Sequence, residues 1–202
     1  MIASAAFYDP RAEHYGERYT SARFEDVHGG LLRHLPAPGA HVADIGAGSG
    51  RDAFALAERG YNVTAVEPSA GMRDWAISSH PRSTVKWIDD ALPGLNKLLD
   101  GPRRYEFVLC SAVLMHLPPA TLSKCFLALS TLATSDGKIA VSVRAPTPTD
   151  PKQIFHNHSP AALLNAAKAA GLAMIEEGQS VDVMGRAVID WRWMVFNDLR
   201  PG

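Results

Sequence analysis

The sequence predicts an α/β fold in which a doubly wound, mostly parallel sheet of seven strands carries helices on both faces. Between residues 41 and 143, short β-rich runs alternate with helical patterns. This order requires crossover connections, which join parallel strands. The run Phe107-Val108-Leu109-Cys110 has no polar alternation, as expected for a strand buried on both faces. The last two strand-like segments have no helix between them and should form an antiparallel hairpin.

Each element is predicted from its local pattern. The predicted strands span 41–45, 61–67, 84–88, 105–110, 138–143, 172–184 and 187–197, with the last turn at Gly185-Arg186. The predicted helices span 52–59, 69–79, 95–99, 119–133 and 159–171. Ser159-Pro160 opens the last helix, because Ser is a favourable N-cap and Pro suits a first turn. Residues 1–39 form a helical, aromatic extension or lid, and residues 40–202 form the main domain.

Composition excludes several classes of protein. The chain has 202 residues, 47% of them hydrophobic, with a formal net charge of -1, which is typical of one globular domain. This charge gives no electrostatic footprint for nucleic acid or an anionic membrane. Cys110 and Cys125 are too few for a disulfide framework, and neither a membrane span nor a secretory signal is recognisable. We therefore expect a cytoplasmic protein, a monomer or homodimer, with a small-molecule substrate and without nucleic-acid or membrane partners.

The most informative motif is Asp44-Ile45-Gly46-Ala47-Gly48-Ser49-Gly50, which joins the first predicted strand to a helix. Such a glycine-rich turn allows a ligand to approach the backbone, and the helix N-terminus offers unpaired N–H groups. A dinucleotide fingerprint would need a third glycine at position 51, where Arg51 stands. Asp44 would repel a pyrophosphate but suits a ligand that carries an ammonium group.

Further acidic residues follow the next two predicted strands. Glu67 lies about 20 residues beyond the glycine turn, where a carboxylate can accept hydrogen bonds from both ribose hydroxyls. Asp89 and Asp90 follow the third strand, and a carboxylate there can accept from the exocyclic amine of adenine. The sequence leaves open which of these two faces the adenine. Together the acids match an ammonium, a ribose and an adenine.

With these motifs the chain resembles the class I S-adenosylmethionine (SAM)-dependent methyltransferases over residues 40–145. The other motifs that carry the resemblance are Ala65-Val66-Glu67-Pro68-Ser69, Asp90-Ala91-Leu92-Pro93 and the run from Tyr105 to Leu117. The resemblance implies a Rossmann-like sheet with six parallel strands and one antiparallel strand. It also implies in-line transfer of a methyl group from SAM to a small-molecule acceptor, with S-adenosylhomocysteine (SAH) as the product.

The finer similarity is to bacterial small-molecule methyltransferases, including the tellurite-resistance type. It depends on Gly50-Arg51-Asp52 and Val113-Leu114-Met115. Glu106 departs from the family, which often has Asp at that position.

The resemblance implies a set of site residues. Predicted to bind the cofactor are Tyr15, Asp44, Gly46, Ala47, Gly48, Gly50, Arg51, Glu67, Pro68, Asp89, Asp90, Ala91, Cys110 and Ser111. The residue match favours Asp90 over Asp89 for the adenine, with the Ala91 amide as a helper. Tyr15 is the lid residue expected to reach the methionine end. Arg51 either contacts the cofactor carboxylate or is only a first-turn helix residue. His116 is either a general base or the cap of a turn.

Three other functions stay open: a protein that binds SAM or SAH without catalysis, an NAD-type oxidoreductase, and a methyltransferase for nucleic acid or protein. His156-Asn157-His158 has too few ligands to predict a metal site, so we expect no metal and place this loop over the acceptor pocket. Trp191 and Trp193 are expected to pack in the hairpin, where Asp182 and Arg186 should form a surface ion pair.

Overall fold

The computed structural model of the protein describes residues 3–185 and 189–199. Within them the strands are β1 (His41–Ile45), β2 (Asn62–Val66), β3 (Lys86–Ile88), β4 (Tyr105–Ser111), β5 (Ala133–Arg144), β6 (Leu172–Val181) and β7 (Asp190–Asp198). The α-helices are α1 (Ala3–Tyr8), α2 (Ala12–Thr20), α3 (Phe24–His28), α4 (Arg51–Glu58), α5 (Ala70–Ser79), α6 (Asn96–Leu99), α7 (Leu122–Leu132) and α8 (Pro160–Ala169). Short 3₁₀ helices span Asp9–Arg11, Gly29–His34, Leu114–His116 and Pro119–Thr121.

The described strands form one seven-stranded sheet in the order β3-β2-β1-β4-β5-β7-β6. Neighbours from β3 to β5 are parallel, whereas β7 is antiparallel to both β5 and β6. Six strands therefore run in one direction and β7 runs in the other, which confirms the predicted fold. The predicted turn at Gly185-Arg186 lies partly outside the described residues, because Arg186 is not among them.

Some predicted bounds were wrong near Ala133. The helix predicted to run through this residue ends at Leu132, and β5 begins five residues earlier than predicted. Ala133 has extended backbone angles and pairs with Tyr105 at the start of β4. Pairing with the neighbouring strand therefore overrides the helical pattern of this segment.

Two hydrophobic cores cover the two faces of the sheet. Ala43 and Ile45 of β1 belong to the core that includes Phe126 of α7. Val42, the residue before Ala43, belongs to the other core with Leu56 of α4. Because successive strand residues point to opposite faces, β1 is buried on both sides.

The N-terminal segment is fixed to α5 by two contacts. Asp9 Oδ1 accepts hydrogen bonds from Ser69 Oγ at 2.5 Å and from the Gly71 amide at 3.0 Å. Gly16 of α2 lies against the Trp75 ring, so that a Cβ at Gly16 would be 2.3 Å from Trp75 Cδ2. These contacts hold α1 and α2 beside the carboxyl ends of the central strands.

We expect Gly16→Ala to lower the free energy of unfolding by about 1–3 kcal/mol, because the added methyl group overpacks the Trp75 contact. At a solvent-exposed position in a helix the same change would raise the free energy of unfolding by up to about 1 kcal/mol. The sign of the effect therefore distinguishes a packed position from an exposed one. Gly29→Ala is the matched control, since nothing lies within 4 Å of its Cβ position. Urea denaturation of both variants measures the difference. Equal stabilities would contradict the packing of α2 on α5.

Within the part of the chain that the structure describes, none of the helices is long and apolar enough to span a bilayer.

Candidate functional site

A cleft opens at the carboxyl ends of β1, β2, β4 and β5, where loops from both faces of the sheet meet. On the β2 side it is lined by Gly46, Ala47, Gly48, Glu67, Pro68, Asp90 and Ala91. On the β5 side it is lined by Ser111, His116, Ser142, Arg144, Phe155, Trp191 and Trp193, and the N-terminal segment adds Tyr8 and Tyr19. Ligands of open α/β sheets bind at this edge.

The glycine turn brings backbone to the floor of the cleft. The amides of Gly46 and Ala47 both donate to the carbonyl of Val66, at 2.7 and 2.9 Å. Gly46 has φ +73°, and a Cβ there would lie 2.3 Å from Val113 Cγ2. Gly48 has φ +53° and no neighbour nearer than Met72 Cε, at 3.8 Å. A side chain is therefore disfavoured at both positions, and the surface of Gly48 stays open to a ligand.

Glu67, directly after β2, is held with both carboxylate oxygens in place. Oε2 accepts from the Gly48 amide at 2.9 Å, and Oε1 accepts from the Ser69 amide at 2.8 Å. Burial raises the pKa of Glu67, while these two amides oppose the rise. Because each oxygen has a second lone pair, both can accept one more hydrogen bond from a ligand in the cleft.

Behind the glycine turn lies a buried network of charged groups. Arg51 donates to both oxygens of Asp52, from Nε at 2.6 Å and from Nη2 at 2.9 Å. Asp52 is also bonded to His28 Nε2 at 2.9 Å. Burial raises the pKa of Asp52, but Arg51 and His28 outweigh it and hold that pKa well below its usual range. Nη1 of Arg51 makes neither of these bonds, so its N–H groups can donate to a ligand.

Asp44 is buried in the same region, but one of its carboxylate oxygens has no partner there. Its side chain is 2% exposed, and Oδ2 has no hydrogen-bond partner. Burial raises the pKa of Asp44 well above its usual value, and the neighbouring Asp52 charge raises it further. A buried carboxylate oxygen without a partner is unfavourable. A cationic ligand group beside the glycine turn would relieve this strain, whereas a phosphate would aggravate it.

The two acids after β3 have different environments. Asp90 lines the cleft and accepts from the Ala91 amide at 2.8 Å and from the Leu98 amide at 3.0 Å. Asp89 is turned towards Arg73 and Lys97 on the surface, with its side chain 57% exposed. Of the two residues, Asp90 is the one that can face a ligand.

His116 lies at the opposite end of the cleft. Nδ1 donates to the Ile154 carbonyl at 2.8 Å, which leaves Nε2 as the hydrogen-bond acceptor. The Tyr8 hydroxyl is 3.5 Å from Nε2. Burial lowers the pKa of His116 to about 4, and burial raises that of the Tyr8 hydroxyl. At neutral pH the imidazole is therefore uncharged and the phenol protonated.

The loop between β5 and α8 closes this end of the cleft through its histidines. The His156 amide donates to the Met115 carbonyl at 2.7 Å, and His158 Nε2 donates to the Leu114 carbonyl at 2.9 Å. The two residues that resembled a metal tract thus anchor the loop to the segment after β4. Within residues 3–185 and 189–199, no cluster of three or more His, Cys, Asp or Glu is arranged to hold a metal ion.

A family model described as a methyltransferase domain matches residues 42–137. These residues form a methyltransferase domain. The match runs from β1 into β5 and includes the glycine turn, Glu67 and Asp90. No curated protein matched the chain.

Solved structures share the fold of this methyltransferase domain. The 1,6-didemethyltoxoflavin-N1-methyltransferase of Burkholderia thailandensis is 19% identical, with a TM-score of 0.75 over 98% of this chain and 89% of that one. The magnesium protoporphyrin IX methyltransferase of Synechocystis PCC 6803 is 21% identical, with a TM-score of 0.68 over 93% and 82%. A TehB-like SAM-dependent methyltransferase of Corynebacterium glutamicum is 16% identical, with a TM-score of 0.68 over 94% and 98%. At these identities the similarity establishes the fold.

The structure brings most of the predicted site residues of the methyltransferase domain to one cleft. Lining it are Gly46, Ala47, Gly48, Arg51, Glu67, Pro68, Asp90, Ala91, Ser111 and His116. Outside the lining are Tyr15, Asp44, Gly50, Asp89 and Cys110. Asp44 and Cys110 are buried behind the wall, and the Cβ position of Gly50 faces the Phe54 ring. The ligand contacts themselves stay predictions.

For the lid residue, the structure differs from the choice of Tyr15. The Tyr15 ring packs against Tyr8 and Tyr19, with centroids 5.0 and 5.4 Å away. Those two tyrosines, rather than Tyr15, line the cleft. The N-terminal helices are short and are separated by the 3₁₀ segment Asp9–Arg11, so helical spacing alone did not predict which ring faces the site.

Several residues that line the cleft were not predicted from the sequence, among them His28, Asp52 and Arg144. Arg144 ends β5 at the same sheet edge as Asp44 and Glu67, so its strand-end position was a usable signal. Its terminal nitrogens bind Asp150 at 2.6 and 2.9 Å. Nothing local in the sequence marks His28, which reaches Asp52 only through the tertiary fold.

We expect Asp150→Asn to lower the free energy of unfolding at pH 7 by about 1–3 kcal/mol, because it weakens hydrogen bonds to a charged partner. Burial raises the pKa of Asp150, but Arg144 and Thr147 outweigh it and hold that pKa at about 2. The stabilisation is therefore complete above about pH 4 and is lost as the pH falls towards 2. Urea denaturation from pH 7 to pH 2.5 should show the wild type and the variant converging. The exposed Asp136→Asn serves as the control, and a difference that persists at low pH would contradict this account.

Proposed function

We propose that this protein is a SAM-dependent methyltransferase for a small-molecule acceptor, with the segment before β1 as its lid. The observation that carries the proposal is the arrangement of Asp44 and Glu67. Asp44, whose Oδ2 is buried without a hydrogen-bond partner behind the glycine turn, suits the ammonium of the methionine moiety. The two oxygens of Glu67, each held by one amide, suit the ribose diol. Asp90 then takes the position for the adenine amine.

The neighbours support this ligand. The Synechocystis enzyme was crystallised with SAM and also with SAH. The Burkholderia enzyme was crystallised with SAH and 1,6-didemethyltoxoflavin. Bound in this cleft, the cofactor supplies an activated methyl group. The chain itself binds and orients the two reactants, and the loop from β5 to α8 with the N-terminal segment excludes water from them.

His116, which lines the cleft, can receive a proton from an acceptor. The Ile154 carbonyl fixes its tautomer, so that Nε2 carries the lone pair. Its pKa of about 4 makes it a weak base. A weak base suffices where the acceptor becomes strongly acidic as its new bond to carbon forms.

Calorimetric titration with SAM, SAH and NADH tests the ligand. We expect SAM and SAH to bind with dissociation constants of roughly micromolar order, and NADH not to bind. Heat with NADH alone would favour the NAD-type oxidoreductase and overturn the proposal. Transfer of a labelled methyl group to a metabolite panel separates an enzyme from a protein that only binds SAM.

A further inference from the structure

The end of the cleft beyond the glycine turn has a distinctive composition. We call it the aromatic end and define it by Tyr8, His116, Arg144, Phe155, Trp191 and Trp193, which all line the cleft. Glu67 and Asp90 follow β2 and β3, whereas these residues come from the β4, β5 and β7 side of the sheet and from the lid. This inference rests on the proposed function. Given that function, the aromatic end is the part of the cleft that receives the methyl acceptor.

The aromatic rings of this end form a connected wall. The Tyr8 and His116 rings pack edge to face at 5.7 Å, and the His116 and Phe155 rings do so at 4.5 Å. Arg144 bridges Phe155 and Trp191, with its guanidinium carbon 4.6 and 6.0 Å from the two ring centres. Tyr8, Phe155, Trp191 and Trp193 are half-buried and line the cleft, so part of each side chain is accessible to a ligand. Such rings bind other rings in stacked or edge-to-face geometry.

The charge of Arg144 is already compensated. Both of its terminal nitrogens donate to the carboxylate of Asp150, and its residue surface is 6% exposed. The ion pair therefore offers little attraction to a carboxylate or phosphate on the acceptor. An anionic aliphatic acceptor is disfavoured by this arrangement.

A polar group that suits a ligand hydroxyl here is Nε2 of His116. It accepts hydrogen bonds, because Nδ1 is committed to the Ile154 carbonyl, and its contact to the Tyr8 hydroxyl is long at 3.5 Å. A ligand hydroxyl can replace that weak contact with a shorter one. Val181 and Val183 also line the cleft and are 82% and 39% exposed, so part of its rim is apolar. An exposed apolar rim around a cleft is typical of a binding site for an apolar molecule.

We propose that the methyl acceptor is a planar aromatic molecule with a ring hydroxyl, bound against the aromatic end so that its O–H donates to Nε2 of His116. The ring system replaces water on the faces of Phe155 and Trp191, and the hydroxyl selects the orientation. A saturated alcohol can donate the hydrogen bond to His116 but cannot stack on the aromatic rings. An aryl ether can stack on the rings but has no O–H to donate.

Three probes with one carbon skeleton test this: 2-naphthol, its saturated counterpart decahydro-2-naphthol, and its ether 2-methoxynaphthalene. Each is titrated by calorimetry into the full chain saturated with SAH. We expect 2-naphthol to bind roughly tenfold more tightly than either comparison probe. Naphthol binding that is undetectable, or no tighter than that of the saturated alcohol or of the ether, overturns the inference.

Two variants locate the binding. Phe155→Leu keeps an apolar side chain but removes a ring, and it should abolish most of the preference for naphthol over the saturated alcohol. Leu127→Ala, at an exposed position on α7 that does not line the cleft, should leave the preference unchanged. A preference that survives Phe155→Leu overturns the inference. The preceding titration with SAH keeps the two hypotheses apart, because failure to bind SAH contradicts the proposed function, whereas SAH binding without naphthol preference contradicts only the aromatic acceptor.

Discussion

Asp44→Asn should weaken SAM binding by about 3 kcal/mol, roughly 150-fold, which is the largest effect we expect from a single substitution in this protein. The change keeps the size of the side chain but removes the charge that would pair with the ligand ammonium. Breaking one partner of a buried ion pair has effects of this size. Calorimetry of the variant with SAM measures the loss.

The same substitution should stabilise the protein without ligand. Burial raises the pKa of Asp44, so the folded state holds its proton more tightly than the unfolded chain does. Stability is therefore lost as the pH rises from the usual pKa of an aspartate through the raised pKa of Asp44. The ionised form of this buried carboxylate is unfavourable in the folded protein without ligand. Asn cannot ionise, so the free energy of unfolding of the variant at pH 7 should exceed that of the wild type.

The control is Asp136→Asn, which removes an exposed carboxylate in β5. It should change neither the affinity for SAM nor the free energy of unfolding.

Proton release gives a second measurement. Pairing with an ammonium lowers the pKa of Asp44, so SAM binding should release protons from the wild type at pH values where Asp44 is protonated. Titrations in two buffers of different ionisation enthalpy detect this release. Unchanged affinity in Asp44→Asn would remove Asp44 from the site.

Glu67→Ala should weaken SAM and SAH binding by about 1.5–3 kcal/mol, roughly 10- to 150-fold, because hydrogen bonds from the ribose to a charged acceptor are lost. The Gly48 and Ser69 amides also lose their acceptor, so the glycine turn should loosen. Glu67→Gln retains one carboxamide oxygen and should give an intermediate loss.

A decrease in affinity caused only by unfolding is excluded by measuring the melting temperature of each variant with and without SAH. Glu58→Ala, at an exposed position near the end of α4, is the control and should bind as the wild type does. If Glu67→Ala folds and binds SAH with unchanged affinity, the ribose assignment is wrong.

The fold was predictable from the sequence because its signals are local. The run Phe107-Val108-Leu109-Cys110 is apolar throughout, since it lies in a central strand that is covered on both faces. The missing helix before β7 predicted the antiparallel hairpin. At Ala133, by contrast, pairing with Tyr105 decided the conformation, and no local pattern contains that partner.

The sequence by itself determined the sheet, the glycine turn and the acids at successive strand ends, because strand order and period place these residues at one edge. Only the tertiary structure decided which of them face the cleft. It turned Asp90 inward and Asp89 to the surface, left Oδ2 of Asp44 without a partner, and set Tyr8 rather than Tyr15 beside His116. These outcomes depend on packing between segments distant in sequence: Tyr8 and His116 are 108 residues apart, and nothing in the sequence near either one specifies the other.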